Sequence, residues 1–162
     1  MQDFEDFVAL RSQALLRTAY LLCGGDKGAA EDILQDVLMN MYGKWRRIRT
    51  SPEAYARTSL ANAAANRWRR RSRKPEAPLD LDAAPPQRGH EEQVVAADSV
   101  VRALAQLPKK MRAVLVLRFF DDLSEAETAR TLGCGVGTVK SQTSRGLARM
   151  RDLMGEQVLT WN

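Results

Sequence analysis

A group of hydroxyl, amide and basic side chains near the C-terminus has the chemistry needed to hydrogen-bond nucleic acid. Lys and Arg reach phosphates and guanine edges, Gln pairs with adenine, and Ser bonds either partner. At helical spacing these residues share one face, opposite an apolar one. A helical hairpin whose basic side is merely solvated fits the same pattern. The residues are Thr138, Lys140, Ser141, Gln142, Ser144, Arg145 and Arg149.

Two other charged clusters lie earlier in the chain. Six of the eight residues 67–74 are Lys or Arg, more than a helix C-terminus needs for its dipole, which favours contact with phosphates. Asp32, Gln35 and Asp36 are spaced to share one helix face. Taken alone, that face is first interpreted as a solvated polar surface.

The sequence contains no set of residues that could perform catalysis. There is no nucleophile with a base and an orienting partner, and no phosphate-binding loop. Cys23, Cys134 and His90 are too far apart for a metal site. We therefore expect a protein that is not an enzyme and needs no metal or cofactor. The acidic N-terminus and the lack of an apolar run of about 18 residues predict a cytoplasmic protein without a membrane segment.

Apolar spacing predicts helices along the N-terminal part of the chain. One runs from Phe4 to Leu22 and stops at two glycines. Asp26 is placed to cap a second helix that reaches Trp45. Ser51 and Pro52 are typical of a helix start, and this third helix is expected to run to about Arg71.

The C-terminal part is also predicted to be helical, with one helix from Val94 to Leu104 and another from Lys109 to Phe120. Ser124 and Glu127 form a capping box, and Gly133 ends the short helix that they open. The last helix begins in the following turn, which gives a helix-turn-helix pattern. Its inward residues are expected to be Val136, Val139, Leu147, Met150 and Leu153.

The charge is distributed in blocks. Residues 51–74 carry seven Lys or Arg and one acid, whereas residues 75–98 carry six acids and one Arg. The acidic block also contains four of the six prolines. We therefore predict an all-α protein with two small helical domains, 1–74 and 94–162, joined by a flexible acidic linker at 75–93.

The motifs resemble those of the extracytoplasmic-function (ECF) RNA polymerase sigma factors, specifically their actinobacterial SigE-like subgroup. The segment 30–37, AEDILQDV, is similar to the region 2 helix that docks on polymerase. The segment 60–71 is similar to the helix that reads the −10 promoter element. The segment 137–151, GTVKSQTSRGLARMR, resembles the region 4 recognition helix. The resemblance covers essentially the whole chain in the right order.

This resemblance implies a protein that binds polymerase core and promoter DNA, with an anti-sigma factor as a further candidate partner. It assigns polymerase binding to Asp32, Gln35 and Asp36. It assigns the −35 element to Lys140, Ser141, Ser144 and Arg145 above all. Gln142 departs from the arginine common in the broader family. For the −10 element it implies Tyr55, Asn62, Asn66, Arg67, Arg69, Arg70 and Arg71.

A stand-alone helix-turn-helix regulator is the alternative, but it leaves the AEDILQD helix and the basic helix unexplained. The charge blocks lead to one further expectation. The acidic linker, tethered between two basic domains, should compete with phosphate in the free protein.

Overall fold

The computed structural model describes residues 3–73 and 95–155, with side chains for 3–70 and 99–155. These ranges contain helices and no strand, which confirms the all-α prediction. The α-helices are α1 (Phe4–Leu22), α2 (Lys27–Lys44), α3 (Pro52–Arg73), α4 (Val95–Ala105), α5 (Lys109–Leu115), α6 (Glu125–Leu132) and α7 (Val136–Met154). A 3-10 turn, Trp45–Arg47, follows α2, and a π-helical turn, Val116–Phe120, follows α5.

The helices of the N-terminal half, α1–α3, begin where the capping residues predict. The Asp26 carboxylate accepts a hydrogen bond from the Ala29 amide at 3.0 Å at the start of α2. The Ser51 hydroxyl accepts one from Ala54 at 3.2 Å, with Pro52 in the first turn of α3. α3 continues to Arg73, two residues beyond the predicted end. Local side-chain chemistry thus sets these boundaries.

The C-terminal half, α4–α7, contains the predicted helix-turn-helix. The Ser124 hydroxyl accepts from the Glu127 amide at 3.0 Å, and the Glu127 carboxylate accepts from the Ser124 amide at 2.9 Å. Gly133 ends α6 with φ 68°, a conformation that glycine adopts without strain. The single helix predicted for residues 109–120 is in fact α5 followed by the π-helical turn.

α7 packs closely on α5 through a glycine. A Cβ added at Gly146 would lie 3.0 Å from side-chain atoms of Met111 and Leu115, so a larger residue there would require these side chains to shift. Val139 and Met150 are fully buried, as predicted. The inward placement predicted for Val136 and Leu153 is wrong, because both are 40% exposed. Both lie in the end turns of α7, whereas Gly146, the close contact with α5, lies in its middle.

The two halves share one hydrophobic core. Its buried members include Phe7 and Leu60 from the first half and Leu104, Leu115 and Met150 from the second. A second, smaller cluster of Val114, Ala129 and Val139 joins α5, α6 and α7. The sequence predicted two small helical domains joined by a linker, and this continuous packing was not anticipated. The linker prediction lies outside the described residues, and the domain boundaries stay predictions.

Candidate nucleic-acid interfaces and partner surface

The polar face of α7 is open to solvent, as its spacing predicts. Lys140, Ser141, Ser144, Arg145 and Arg149 are exposed, while Thr138 and Gln142 are half-buried. Lys140 Nζ lies 3.8 Å from a Glu125 carboxylate oxygen, which connects this face to the start of α6. The Ser141 hydroxyl donates to the Thr138 carbonyl at 3.3 Å. A stable helix-turn-helix therefore presents donors and cations together on one accessible surface.

One face of α3 is exposed to solvent, and its residues are spaced three or four positions apart. Asn62, Asn66 and Arg69 are exposed and follow helical spacing, and Arg70 is exposed beside them. The Arg69 guanidinium donates to the Asn66 side-chain oxygen, which orders both groups. This face offers amide groups and cations to a ligand, which suits contacts to bases and phosphates. The side chain of Arg71 lies outside the described residues.

Two residues predicted for the same interface are placed differently. Arg67 is half-buried, with Nη1 3.9 Å from the Asp32 carboxylate on α2, and its Nε is buried without a hydrogen-bond partner. Tyr55 is half-buried and packs against the main core. Arg67 and Tyr55 are thus less accessible than the exposed Asn62 and Asn66.

The aromatic residues near α3 have distinct environments. Trp45 packs its ring against Phe4 at 5.4 Å and Phe7 at 5.5 Å between centroids, in tilted or edge contacts. Trp45 therefore packs against the main core. Trp68 on α3 is 51% exposed, and Lys109 Nζ lies 5.9 Å from its ring centroid. Trp68 is the aromatic side chain that the described part of α3 offers for stacking.

The acidic face of α2 is exposed as predicted. Asp32, Gln35 and Asp36 all lie at the surface, and the side chain of Asp32 is 67% exposed. On the opposite side of the helix, Ile33 and Val37 are buried in the core. The face is thus backed by the core and accessible to a partner.

An apolar groove next to this face was missed from the sequence. It has a volume of about 520 Å³ and lies between α1 and α2. Met39 and Tyr42 border it and are 66% and 69% exposed. They follow Gln35 at positions i+4 and i+7, so the groove continues the acidic face along the helix. The sequence contained a signal for this groove, because the large side chains of Met39 and Tyr42 lie off the buried stripe of α2.

Other features of the described residues bear on the class of protein. No helix there is long and apolar enough to cross a membrane. No three His, Cys, Asp or Glu side chains of the same ranges come together as metal ligands. Cys23 is half-buried, and burial together with the nearby Asp26 raises the pKa of its thiol to about 11. The thiol is therefore protonated and unreactive at neutral pH.

Comparison with protein families finds two matching domains in chain order. Residues 7–74 match sigma-70 region 2, and residues 97–150 match sigma-70 region 4. The two matches cover the two halves of the fold, so they account for α2 and α3 as well as for the helix-turn-helix.

Individual proteins match over nearly the full length. The chain is 38% identical to the RNA polymerase sigma-E factor of Streptomyces coelicolor over 93% of this chain and 85% of that protein. It is 36% identical to the ECF RNA polymerase sigma factor SigM of Mycobacterium tuberculosis over 78% of this chain and 64% of that protein. The sigma factor RpoE in complex with the anti-sigma factor NepR from Bartonella quintana superposes with a TM-score of 0.79 at 26% identity. That superposition covers 96% of this chain and 99% of RpoE.

These findings define a transcription initiation factor built from regions 2 and 4. The chain belongs to the ECF RNA polymerase sigma factors. The predicted family is confirmed, and so is the prediction that the protein is not an enzyme, since sigma factors initiate transcription without catalysing it. A stand-alone helix-turn-helix regulator would leave the region 2 match unexplained.

Proposed function

We propose that this protein docks on RNA polymerase core through α2, reads the −10 element with α3 and reads the −35 element with α7. The observation that carries the proposal is the arrangement of three exposed, chemically distinct faces on the matched region 2 and region 4 domains. One face is acidic with an apolar border, and the other two combine cations with amides or hydroxyls.

The polymerase-docking surface comprises Asp32, Gln35 and Asp36 together with the groove at Met39 and Tyr42. Charged groups steer association and set orientation, whereas large apolar side chains that become buried supply most of the affinity. A surface of this composition fits a partner that is basic at one end and apolar at the other. We assign that partner to polymerase core because the helix that bears the surface lies in region 2.

The −35 interface is the exposed face of α7. Arg145 and Lys140 supply cations for guanine edges or phosphates, and Ser141 and Ser144 supply short hydroxyls for close backbone approach. Gln142 is half-buried, so its amide reaches DNA from the edge of the face. This arrangement supports sequence-dependent contacts at Arg145 and backbone contacts at Arg149.

The −10 interface is the exposed face of α3. Asn62 and Asn66 offer amides to unpaired bases, Arg69 and Arg70 neutralise phosphates, and Trp68 offers a ring for stacking. Arg67 acts indirectly, because its guanidinium faces Asp32 and connects α3 to α2. Tyr55 likewise supports α3 from the core side.

The protein would act in the cytoplasm, where polymerase is found, and an anti-sigma factor is a further partner that we propose. The NepR complex of the Bartonella protein, which has the same fold, supports that last assignment. The proposal as a whole is tested by run-off transcription with polymerase core and a genomic fragment library. Specific start sites that depend on this protein are expected, and a complete lack of protein-dependent initiation would refute it.

A further inference from the structure

A cleft with a volume of about 700 Å³ lies between α3 and the start of α5. Small-molecule sites in proteins commonly have volumes of about 300–1,000 Å³, so the cleft can hold one compact ligand. Small apolar side chains line much of it, among them Ala61, Ala64 and Ala65 of α3. Cations line much of the rest. A surface that is apolar in one part and cationic in another suits a ligand with a flat body and an anionic group.

The cleft has a strong excess of positive charge. Asp26 is the one acid among the described residues that border it, and its carboxylate accepts a hydrogen bond from the Ala29 amide at 3.0 Å. Cys23 also borders the cleft, but its raised pKa of about 11 keeps the thiol protonated at neutral pH, so it adds no negative charge. An anion from solution would supply the counter-charge. The bordering cations are Arg67, Arg69, Lys109, Lys110 and Arg112.

Two of these cations are poorly compensated within the described residues. Burial and the nearby charges of Arg69 and Arg112 lower the pKa of Lys109, so its ammonium group is held among like charges. The Nε of Arg67 is buried and has no hydrogen-bond partner there, and its Nη1 lies 3.9 Å from Asp32. A bound anion would stabilise both groups, because it accepts hydrogen bonds and offsets the repulsion.

The same cleft offers an aromatic ring and an amide. Trp68 is 51% exposed, and Lys109 Nζ lies 5.9 Å from its ring centroid. The Asn62 side chain is exposed and borders the cleft. A ring that stacks on a base, an amide that bonds a base edge and cations that bind phosphates together recognise a nucleotide. Inorganic phosphate would leave the ring unused, and an uncharged ligand would leave the cations unused.

We propose that this cleft binds a free purine nucleoside diphosphate, with the base against Trp68 and the phosphates at Arg69 and Lys109. A two-ring base covers an indole more fully than a one-ring base does. The inference goes beyond the proposed function, because such binding needs neither polymerase nor promoter. Lys109 and Lys110 lie on α5, outside the α3 face proposed for the −10 element, which favours a free nucleotide over a DNA strand.

Isothermal titration calorimetry of the full chain with GDP tests the proposal. The titration is run at about 0.15 M salt, where nonspecific attraction between exposed charges is screened. We expect GDP to bind at one site. Pyrophosphate and guanosine each carry one part of GDP, and each should bind at least about tenfold more weakly. No binding at millimolar GDP would overturn the proposal, and so would equal affinities for GDP and pyrophosphate, because the ring would then take no part.

Two substitutions assign the site. Lys109→Gln should weaken GDP binding at least about tenfold, whereas Lys44→Gln should bind as the parent does. Lys44 is the matched control, because it is exposed and lies at the other end of α2 from Asp26. Trp68→Leu should weaken GDP binding about tenfold and leave pyrophosphate binding unchanged, since it removes stacking and no charge.

Neither Lys109 nor Trp68 belongs to the buried core, so both variants should fold, and thermal unfolding checks this. Parent-like GDP binding by folded Lys109→Gln would overturn the proposal.

A short oligothymidylate distinguishes a free nucleotide from a DNA strand. Binding of the oligonucleotide without any binding of GDP would overturn the proposal and assign the cleft to the −10 interface. Run-off transcription with core tests the proposed function separately on the same proteins. Initiation without GDP binding would refute the nucleotide site alone. GDP binding without initiation would refute the proposed function alone.

Discussion

Arg67 of α3 lies 3.9 Å from Asp32 of α2, so a residue predicted to bind DNA is paired with one predicted to bind polymerase. The pair is partly exposed, at 33% for Arg67 and 67% for Asp32, and contributes little to stability by itself. The pair matters because it connects α2 and α3, the helices proposed to bind polymerase and the −10 element. A substitution at Asp32 would therefore disturb both faces.

Asp36 gives a cleaner test of the polymerase-docking surface, because no ion pair involves it among the described residues. We expect Asp36→Arg to abolish measurable binding to core, since it reverses a charge at the centre of the surface. The free energy of unfolding should change by less than about 0.5 kcal/mol, because the side chain is exposed. Core binding is measured by co-purification or fluorescence anisotropy without DNA.

Asp152→Arg makes the same charge reversal on an exposed residue at the end of α7 and serves as the matched control. Met39→Gln extends the test to the apolar groove and should weaken core binding without affecting folding. If Asp36→Arg binds core as well as the control does, α2 is not the docking helix.

Arg145→Ala tests the recognition face of α7. We expect a loss of roughly 1–3 kcal/mol in holoenzyme binding to a promoter with the cognate −35 element, the usual scale for one good base contact. The same substitution should have little effect on a promoter whose −35 element is already mutated. Binding is measured by competition at fixed salt. An equal loss on both promoters would show that Arg145 contacts phosphate and not a base.

The stability of the folded chain should depend on pH through Asp121, a buried carboxyl that accepts a hydrogen bond from Thr18. Burial raises the pKa of this carboxyl, and Glu53 adds to the effect, while the Thr18 hydrogen bond and the charges of Arg57 and Arg17 oppose it. A raised pKa means that the folded chain binds the proton more tightly than the unfolded chain. The contribution of Asp121 to the stability of the folded chain is therefore complete below the ordinary pKa of 3.8. It is lost as the pH rises through the raised pKa.

Urea unfolding of the parent and of Asp121→Asn between pH 4 and pH 7 measures this effect. The parent should lose free energy of unfolding relative to the Asn variant as pH rises, because the variant carries no charge to bury. Parallel pH profiles for the two proteins would show that Asp121 does not titrate with a raised pKa in the folded chain.

The acidic linker leads to a separate prediction about the free protein. Neutralising Glu76, Asp80, Asp82, Glu91 and Glu92 should raise its affinity for DNA most clearly at low salt, where the Debye length is long. If the variant with the five neutralised acids binds DNA no more tightly than the parent at low ionic strength, masking by the linker is ruled out.

The sequence predicts the helices and exposed faces because both are encoded locally. Asp26, Ser51 and the pair Ser124 and Glu127 form caps with residues three positions away, and spacing alone predicts the exposure of Asp36. The orientation of Arg67 and the packing of Trp45 on Phe7 depend on neighbours that the chain brings together only on folding. The Thr18–Asp121 contact spans 103 residues and leaves no periodic trace in the sequence.

Footprinting of a promoter with core and this protein together tests the central claim most directly. We predict protection of the −35 element and permanganate-reactive, unpaired thymines at the −10 element, both requiring core and this protein in the same reaction. Arg145→Ala should reduce protection at −35. Protection of DNA by this protein without core, or an unmelted −10 element in the complete complex, would contradict the account.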